Sequence, residues 1–184
     1  MTGIASKSQL RMSYLRFALF TVPLILLLGI VSGRIADSGY DNEWFAALTK
    51  PELMPPGATF GIVWTILFIL LGLSIAIILN ARGAKGRGLA VGLFVVQMLL
   101  TFAWSPVFFG FHQVRAALFI ILALVAISIA VALLFLRIRP LAAWLMVPYI
   151  AWLIFASALN YQIIQLNPDA ETLVPGEAGT DIIL

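Results

Sequence analysis

The chain is 184 residues long, 62% hydrophobic and only 10% charged, with a mean hydropathy of +1.08. One compact domain of this size cannot hide that much apolar surface from water, so the bilayer is the expected solvent. The formal net charge of +3 is small and scattered, which excludes a nucleic-acid partner read through a basic face, and the absence of cysteine removes disulfides, thiolate metal sites and thiol nucleophiles.

A hydrocarbon core about 30 Å thick needs roughly 20 mostly apolar residues in a helix. The first such run covers Leu15 to Gly33, with Arg16 at its edge, after an N-terminal extension at 1–14 that carries Lys7 and Arg11. A cleavable signal peptide is the competing reading of this run. A Gly and an Arg follow it without a clear small-x-small cleavage site, which favours a retained helix. The segment Arg34 to Ala58 is the only long connection. Its Trp44, Phe45, Leu48, Leu53 and Met54 are too apolar for a plain solvated loop, and loops of this length often act as lids or binding elements.

Phe60 to Leu79 and Leu89 to Phe111 form the second and third runs, and Ala116 to Leu136 and Leu141 to Ile164, both free of charged residues, complete the set. Because lipid offers backbone amides no partners, each run should be helical, with local kinks or breaks at Pro23, Pro106 and Pro148. The tail at 168–184 is acidic and reads as a short disordered end. The expected fold is an all-α integral membrane protein: a five transmembrane helix bundle at 15–167 with a long structured loop between helices 1 and 2.

Cations in the loops set the orientation, because Lys and Arg are retained on the cytoplasmic side. Lys7, Arg11 and Arg16 precede the first run, Arg82, Lys85 and Arg87 join the second to the third, and Arg137 and Arg139 join the fourth to the fifth. The opposite side receives only Arg34, Lys50 and Arg115 among cations, together with all the acids: Asp37, Asp41, Glu43, Glu52, Asp169, Glu171, Glu177 and Asp181. The N-terminus is therefore expected in the cytoplasm and the C-terminus outside, with the long loop.

At helical spacing Phe60, Trp64, Phe68 and Leu71 share one stripe of the second helix. Gln97, Thr101, Trp104 and Phe108 do so on the third, and Tyr149, Trp152, Ala156 and Asn160 on the fifth. Buried amides in hydrocarbon are costly unless paired, so Gln97 and Asn160 should point into the bundle. Such residues also serve as helix glue or as an interfacial aromatic belt. Combined with a proline-broken, aromatic loop above Trp64, they suggest a pocket suited to a planar apolar ligand with a polar edge. The helix interiors lack charged side chains, which argues against a proton pump, an ion filter or a charge-coupled transporter. No residue set suggests a catalytic centre or a metal site, and His112, the only histidine, stands without partners at ligand spacing.

The run W-F-x-x-L-x-K-P-x-x-x-P-P-x-x-x-F-x-x-x-W-x-x-L-F, from Trp44 to Phe68, resembles the signature of the TspO/MBR family, the tryptophan-rich sensory proteins related to the mitochondrial translocator protein (peripheral benzodiazepine receptor). The segments Q-x-x-x-T-x-x-W-S-P-x-F-F-G, from Gln97 to Gly110, and VPYIAWLIFASALNYQIIQLN, from Val147 to Asn167, resemble its third and fifth helices. The resemblance covers about Trp44 to Asn167. It implies a five-helix bundle whose first loop folds over a cavity, usually in a homodimer. It also implies ligands such as porphyrins (protoporphyrin IX, haem), in some members sterols and benzodiazepine- or isoquinoline-type molecules, with no obligatory cofactor.

Carried over residue by residue, the implied ligand site is Trp44, Pro55, Pro56, Phe60, Trp64, Phe68, Gln97, Thr101, Trp104, Phe108, Trp152, Ala156 and Asn160. Three departures stand out. Glu52 and Leu53 replace aromatics common after the Lys-Pro pair, Phe68 stands where Tyr is common, and Thr101 stands where Asn is common. The sterol pattern at the end of the fifth helix has Leu159 and Tyr161 but no closing Lys or Arg, so it predicts no cholesterol binding.

Small-x-x-x-small pairs occur at Gly29 and Gly33, at Gly88 and Gly92, and at Ala126 and Ala130. The resemblance favours the third helix, and so Gly88 and Gly92, as the dimer face. The function expected is membrane-embedded binding or sensing of porphyrins or similar planar amphiphiles, linked to tetrapyrrole transport or stress regulation. The alternatives are a light- or oxygen-dependent porphyrin-degrading enzyme and a transporter of small amphiphiles.

Overall fold

The computed structural model describes residues 7–174. Residues 1–6 of the basic extension and 175–184 of the acidic tail, with Glu177, Asp181 and the final DIIL, lie outside the described residues. Every regular element among the described residues is helical: α1 is Lys7–Ile35, α2 Glu43–Ala47, α3 Gly57–Asn80, α4 Arg87–Ser105, α5 Val114–Ile138 and α6 Pro140–Leu166. All but α2 are long and apolar enough to cross a membrane, so the protein is a five-span, multi-pass integral membrane protein. Packing runs round a ring in the order α1, α3, α6, α5, α4, and α4 touches α1 again.

The joints follow from local chemistry. Between α3 and α4 the chain turns through Gly83 and Gly86, at φ +77° and +79°, where a side chain would be strained. Arg87 then reaches back, its Nε donating to the Ile78 carbonyl and its Nη2 to that of Leu79, which satisfies acceptors the end of α3 leaves free. Pro140 opens α6 at a position where its missing N–H costs nothing.

Of the three prolines expected to disturb helices, Pro23 and Pro148 lie within helices that continue past them. Pro106 reroutes the ladder. From Pro106 to Gly110 the chain takes one wide π turn, closed by the Phe111 N–H on the Pro106 carbonyl at 2.9 Å.

Between helices, small hydroxyls supply the polar joints that hydrocarbon makes valuable. Thr21 Oγ1 donates to the Gly72 carbonyl (2.8 Å), Ser74 Oγ to that of Ala142 (2.7 Å) and Ser32 Oγ to that of Phe102 (2.6 Å). At Gly72 the backbones of α1 and α3 come so close that a Cβ would lie 2.7 Å from Val22 Cα.

The disordered end expected from 168 onward needs correcting over its first part. Pro168 to Thr172 folds into turns, and Ala170 is only 2% exposed because the first loop lies on it.

Candidate functional site

The first loop is built as a lid. Asn42 caps α2 by accepting the Phe45 N–H on its side-chain oxygen (2.8 Å), so five residues suffice for a helix that drives Trp44 and Phe45 inward. Lys50 closes the other end, its ammonium donating to the carbonyls of Phe45, Ala46 and Leu48 while it sits over the Phe45 ring. The Tyr40 hydroxyl donates to the Pro55 carbonyl (2.6 Å), which fixes the approach to α3.

Two further ties bind the lid to the C-terminal end of α6 and to the tail. The Thr49 N–H donates to Asn167 Oδ1 (2.7 Å) and Asn167 Nδ2 returns a bond to the Thr49 carbonyl (2.8 Å), while Trp44 Nε1 donates to the Ala170 carbonyl (2.8 Å). Asn167→Ala removes two of these bonds at about 1 kcal/mol each, so amide exchange over 43–49 should accelerate roughly thirtyfold. Exchange mass spectrometry in detergent reads this directly, and unchanged protection would mean that the tail does not hold the lid.

Trp44 stacks face to face on His112, with ring centroids 4.3 Å apart and planes 9° apart. His112 stands at φ +55° in the connection after the π turn. Burial pushes its imidazole below the ordinary value, and a backbone hydrogen bond at Phe109 opposes this, so the ring beneath Trp44 is neutral at neutral pH. A native value lowered in this way favours the closed lid above about 6.5 and withdraws that contribution as pH falls.

Beneath the lid lies a cavity of about 580 Å³, within the range of ligand sites. Phe60, Trp64 and Phe68 of α3 form one wall, Thr101, Trp104 and Phe108 of α4 and its π turn another, and Trp152, Ala156 and Asn160 of α6 a third. The structure thus brings together nine of the residues singled out from sequence. Rings meet across it: Phe60 and Trp152 edge to face at 5.6 Å, Trp64 and Phe68 tilted at 5.2 Å, Trp104 and Phe108 stacked at 4.9 Å.

The other four lie outside the lining. Trp44 faces His112, Phe108 and the tail. Pro55 contributes only its carbonyl to Tyr40, and Pro56 is the residue from which α3 starts. Gln97 is fully buried one turn along α4 from Thr101. Gly88 and Gly92 stand exposed at the start of α4, with open space over both.

Several lining residues are not among the ligand-site residues expected from sequence, although the sequence marks Phe45 and Met54 as apolar residues of the loop. Phe45, Met54 and Tyr40 come from the lid, where no periodicity points inward. Ser32 and Gly29 come from α1. Gly29 belongs to a small-residue pair that suggested helix contact, but its missing side chain makes room for the Phe68 ring. Phe109 joins Phe108 in the lining because the π turn swings consecutive residues onto one side.

The polar atoms of the wall divide into committed and free groups. The Thr101 hydroxyl donates to the Gln97 carbonyl (2.8 Å) and meets the Tyr149 hydroxyl (2.6 Å), so Tyr149 must be the donor in that pair. Thr101 therefore keeps no proton for a ligand. Asn160 Nδ2 donates to the Val114 carbonyl (3.1 Å), but Asn160 Oδ1, Trp104 Nε1 and Trp152 Nε1 have no hydrogen-bond partner among the described residues. Each of these three atoms has less than 1 Å² of accessible surface, so none is presented to the cavity as it stands.

A sequence profile of the TspO/MBR family matches residues 21–166 of the chain. Among similar proteins, the tryptophan-rich protein TspO of Chlorobaculum tepidum is 40% identical over 126 residues, 68% of this chain and 80% of that protein. The human translocator protein is 35% identical over 136 residues, 73% and 80% of the two chains. The tryptophan-rich protein TspO of Bacillus cereus is 32% identical over 165 residues, 88% and 97%.

Proposed function

The chain belongs to the TspO/MBR family, and from that premise we propose that it binds and senses porphyrins, such as protoporphyrin IX or haem, or similar planar amphiphiles within the membrane. The observation that carries this reading is the cavity itself. Flat rings from α3, α4 and α6 enclose about 580 Å³ beneath the lid. Rings of this kind suit a flat apolar body.

Titrating protoporphyrin IX into the purified protein should quench its tryptophan emission with saturation. The affinity should fall when Trp64, Trp104 and Trp152 are replaced together by Phe, and unaltered affinity in that variant removes the pocket from consideration.

A second reading, in which the bound porphyrin is degraded with light or oxygen, is favoured by Trp64 and Trp152 both facing the space a macrocycle would fill. A new chromophore appearing under illumination supports degradation, and unchanged porphyrin supports binding alone. Net flux into proteoliposomes would instead mark a transporter.

The same reading places the N-terminus in the cytoplasm, from the cations crowded at the end of the bundle away from the lid. Labelling of single cysteines introduced at either end checks it. It also pairs two copies through α4, whose Gly88 and Gly92 leave a bare strip on the outer face.

A further inference from the structure

We propose that the turn between α5 and α6 is a docking site for an anionic phospholipid, its phosphate held by Arg137 and Arg139 and its acyl chain lying along the outer face of α5. The site stands at the end of the bundle away from the lid and does not depend on the cavity.

Only Arg139 separates α5 from α6. Its backbone is extended, at φ −150° and ψ 103°, and is held on both sides: its N–H donates to the Phe135 carbonyl (2.7 Å) and its carbonyl accepts the Ala142 N–H (3.0 Å). This turn is set back into the bundle. Ser74, six residues before the end of α3, donates to the carbonyl of Ala142, two residues after the start of α6. Phe94, seven residues after the start of α4, stacks on Phe135, three residues before the end of α5, with ring centroids 5.9 Å apart. Either pairing leaves the α5–α6 turn four residues short of the α3–α4 turn, roughly one helical turn or 6 Å. Arg137 and Arg139 therefore lie deeper toward the hydrocarbon than Arg82 and Lys85.

Nothing among the described residues neutralises them. Every described acid, from Asp37, Asp41, Glu43 and Glu52 to Asp169 and Glu171, stands at the lid end, and so does the single described ion pair, Arg115 with Glu171. Arg137 is exposed and makes no hydrogen bond or ion pair among the described residues. Arg139, also exposed, commits only Nη1, to the Ile138 carbonyl at 3.3 Å. Arg87 differs, because its Nε and Nη2 already serve the end of α3.

The partner has to be apolar as well as anionic. On α5 the exposed side chains of Ile129, Leu133 and Leu136 recur at helical spacing and lead up to Arg137, while Leu141 and Trp144 continue the exposed apolar surface from Arg139 along α6. A guanidinium binds phosphate through paired N–H donors. Cations at the head of an apolar strip fit one molecule with phosphate at one end and hydrocarbon at the other. A soluble anion would use the arginines alone, and a zwitterionic lipid would bring its own cation to the same place. An anionic phosphodiester with acyl chains uses the whole surface.

The test uses the full purified chain in a mild detergent at low salt, with phosphatidylglycerol or phosphatidylcholine of the same acyl chains added, and native mass spectrometry to count the lipid retained. The wild type should favour phosphatidylglycerol by roughly twentyfold, since each cation near a membrane surface contributes about fivefold to the binding of anionic lipid. Arg137→Gln with Arg139→Gln should bring the two lipids to about parity, and Arg137→Gln alone should lower the preference roughly fivefold. Arg82→Gln with Lys85→Gln removes the same charge one turn further out, where water screens it, and should change the preference by less than about twofold.

Equal retention of the two lipids by the wild type overturns the inference. Equal losses in the two double variants overturn it too, because the attraction would then belong to the charge of the whole rim. Displacement of phosphatidylglycerol by the same concentration of glycerol phosphate would mark a site for soluble phosphate and overturn it as well. Should the double variant fail to fold, Arg137→Gln decides alone, and an undiminished preference there sinks the proposal.

Discussion

Gly72→Leu is expected to cost the fold more than any other single substitution considered, lowering stability by roughly 1–3 kcal/mol, and by more if α1 cannot move aside. Even a methyl group at this position would stand 2.7 Å from Val22 Cα and 3.1 Å from Val22 N. Those are backbone atoms of a membrane-spanning helix, which cannot rotate out of the way as a side-chain tip can. The Thr21 hydroxyl is anchored on the Gly72 carbonyl at the same point, so separating the helices also breaks a buried hydrogen bond.

A better helix propensity returns only about 1 kcal/mol of this, since glycine in a helix interior is worth that much less than alanine. The measurement is the melting temperature in a mild detergent. Gly92→Leu is the matched control because nothing lies within 4 Å of a Cβ there. It should leave the melting of the monomer alone, and if α4 is the dimer face it should shift the oligomer toward monomer. A Gly72→Leu protein that melts like the wild type would mean the two backbones are not in contact.

Trp64→Ala combined with Trp152→Ala should weaken porphyrin binding by roughly tenfold to hundredfold, because each aromatic contact is worth about 0.5–1.5 kcal/mol beyond the area it buries. The two indoles stand on different helices. Trp64 rests against Phe68 and Tyr149, at 5.2 and 6.4 Å, and Trp152 against Phe60 and Phe155, at 5.6 and 5.5 Å. Losing both strips a ring from each of two lining helices and leaves a wider space in which a flat ligand touches less. Absorption of the bound porphyrin is the suitable readout, since the variant deletes two of the five tryptophans that would report by emission.

Trp144→Ala is the control, because that ring is 67% exposed on the lipid-facing side of α6. Equal losses in the double variant and in Trp144→Ala would point to a general effect of removing indoles from the membrane surface rather than to the cavity.

The contrast between Trp152 and Trp44 shows how far the sequence reaches. Trp152, with Ala156 and Asn160, sits on a helix whose period places the three on one stripe, and the stripe faces the cavity. Trp44 opens the motif that resembles the family's, yet it turns away from the cavity toward His112 and Ala170. Its neighbour Phe45 lines the space instead. A helix repeats every 3.6 residues, so one inward residue identifies the next. A five-residue helix between irregular segments has no repeat long enough to show a face.

Gln97 makes the related point in depth. It shares the stripe of Thr101 and Trp104 and is fully buried as expected of an amide in lipid, but it lies past the floor that the Thr101 and Tyr149 hydroxyls close. Periodicity gives direction around a helix axis and is silent about where along that axis a cavity ends.

What the residues determined by themselves was therefore the solvent, the five spans and their apolar lengths, and the inward stripes of α3, α4 and α6. Each of these is a sum of local terms: transfer of side chains into hydrocarbon and the need of every backbone amide for a partner within its own helix. Only the folded chain decided that α2 exists, that Gly29 yields its place to Phe68, and that the tail fastens the lid through Asn167 and Ala170. Those contacts join residues as many as 126 positions apart. Nothing in a local pattern encodes them, because they arise where separately stable helices come to rest against one another.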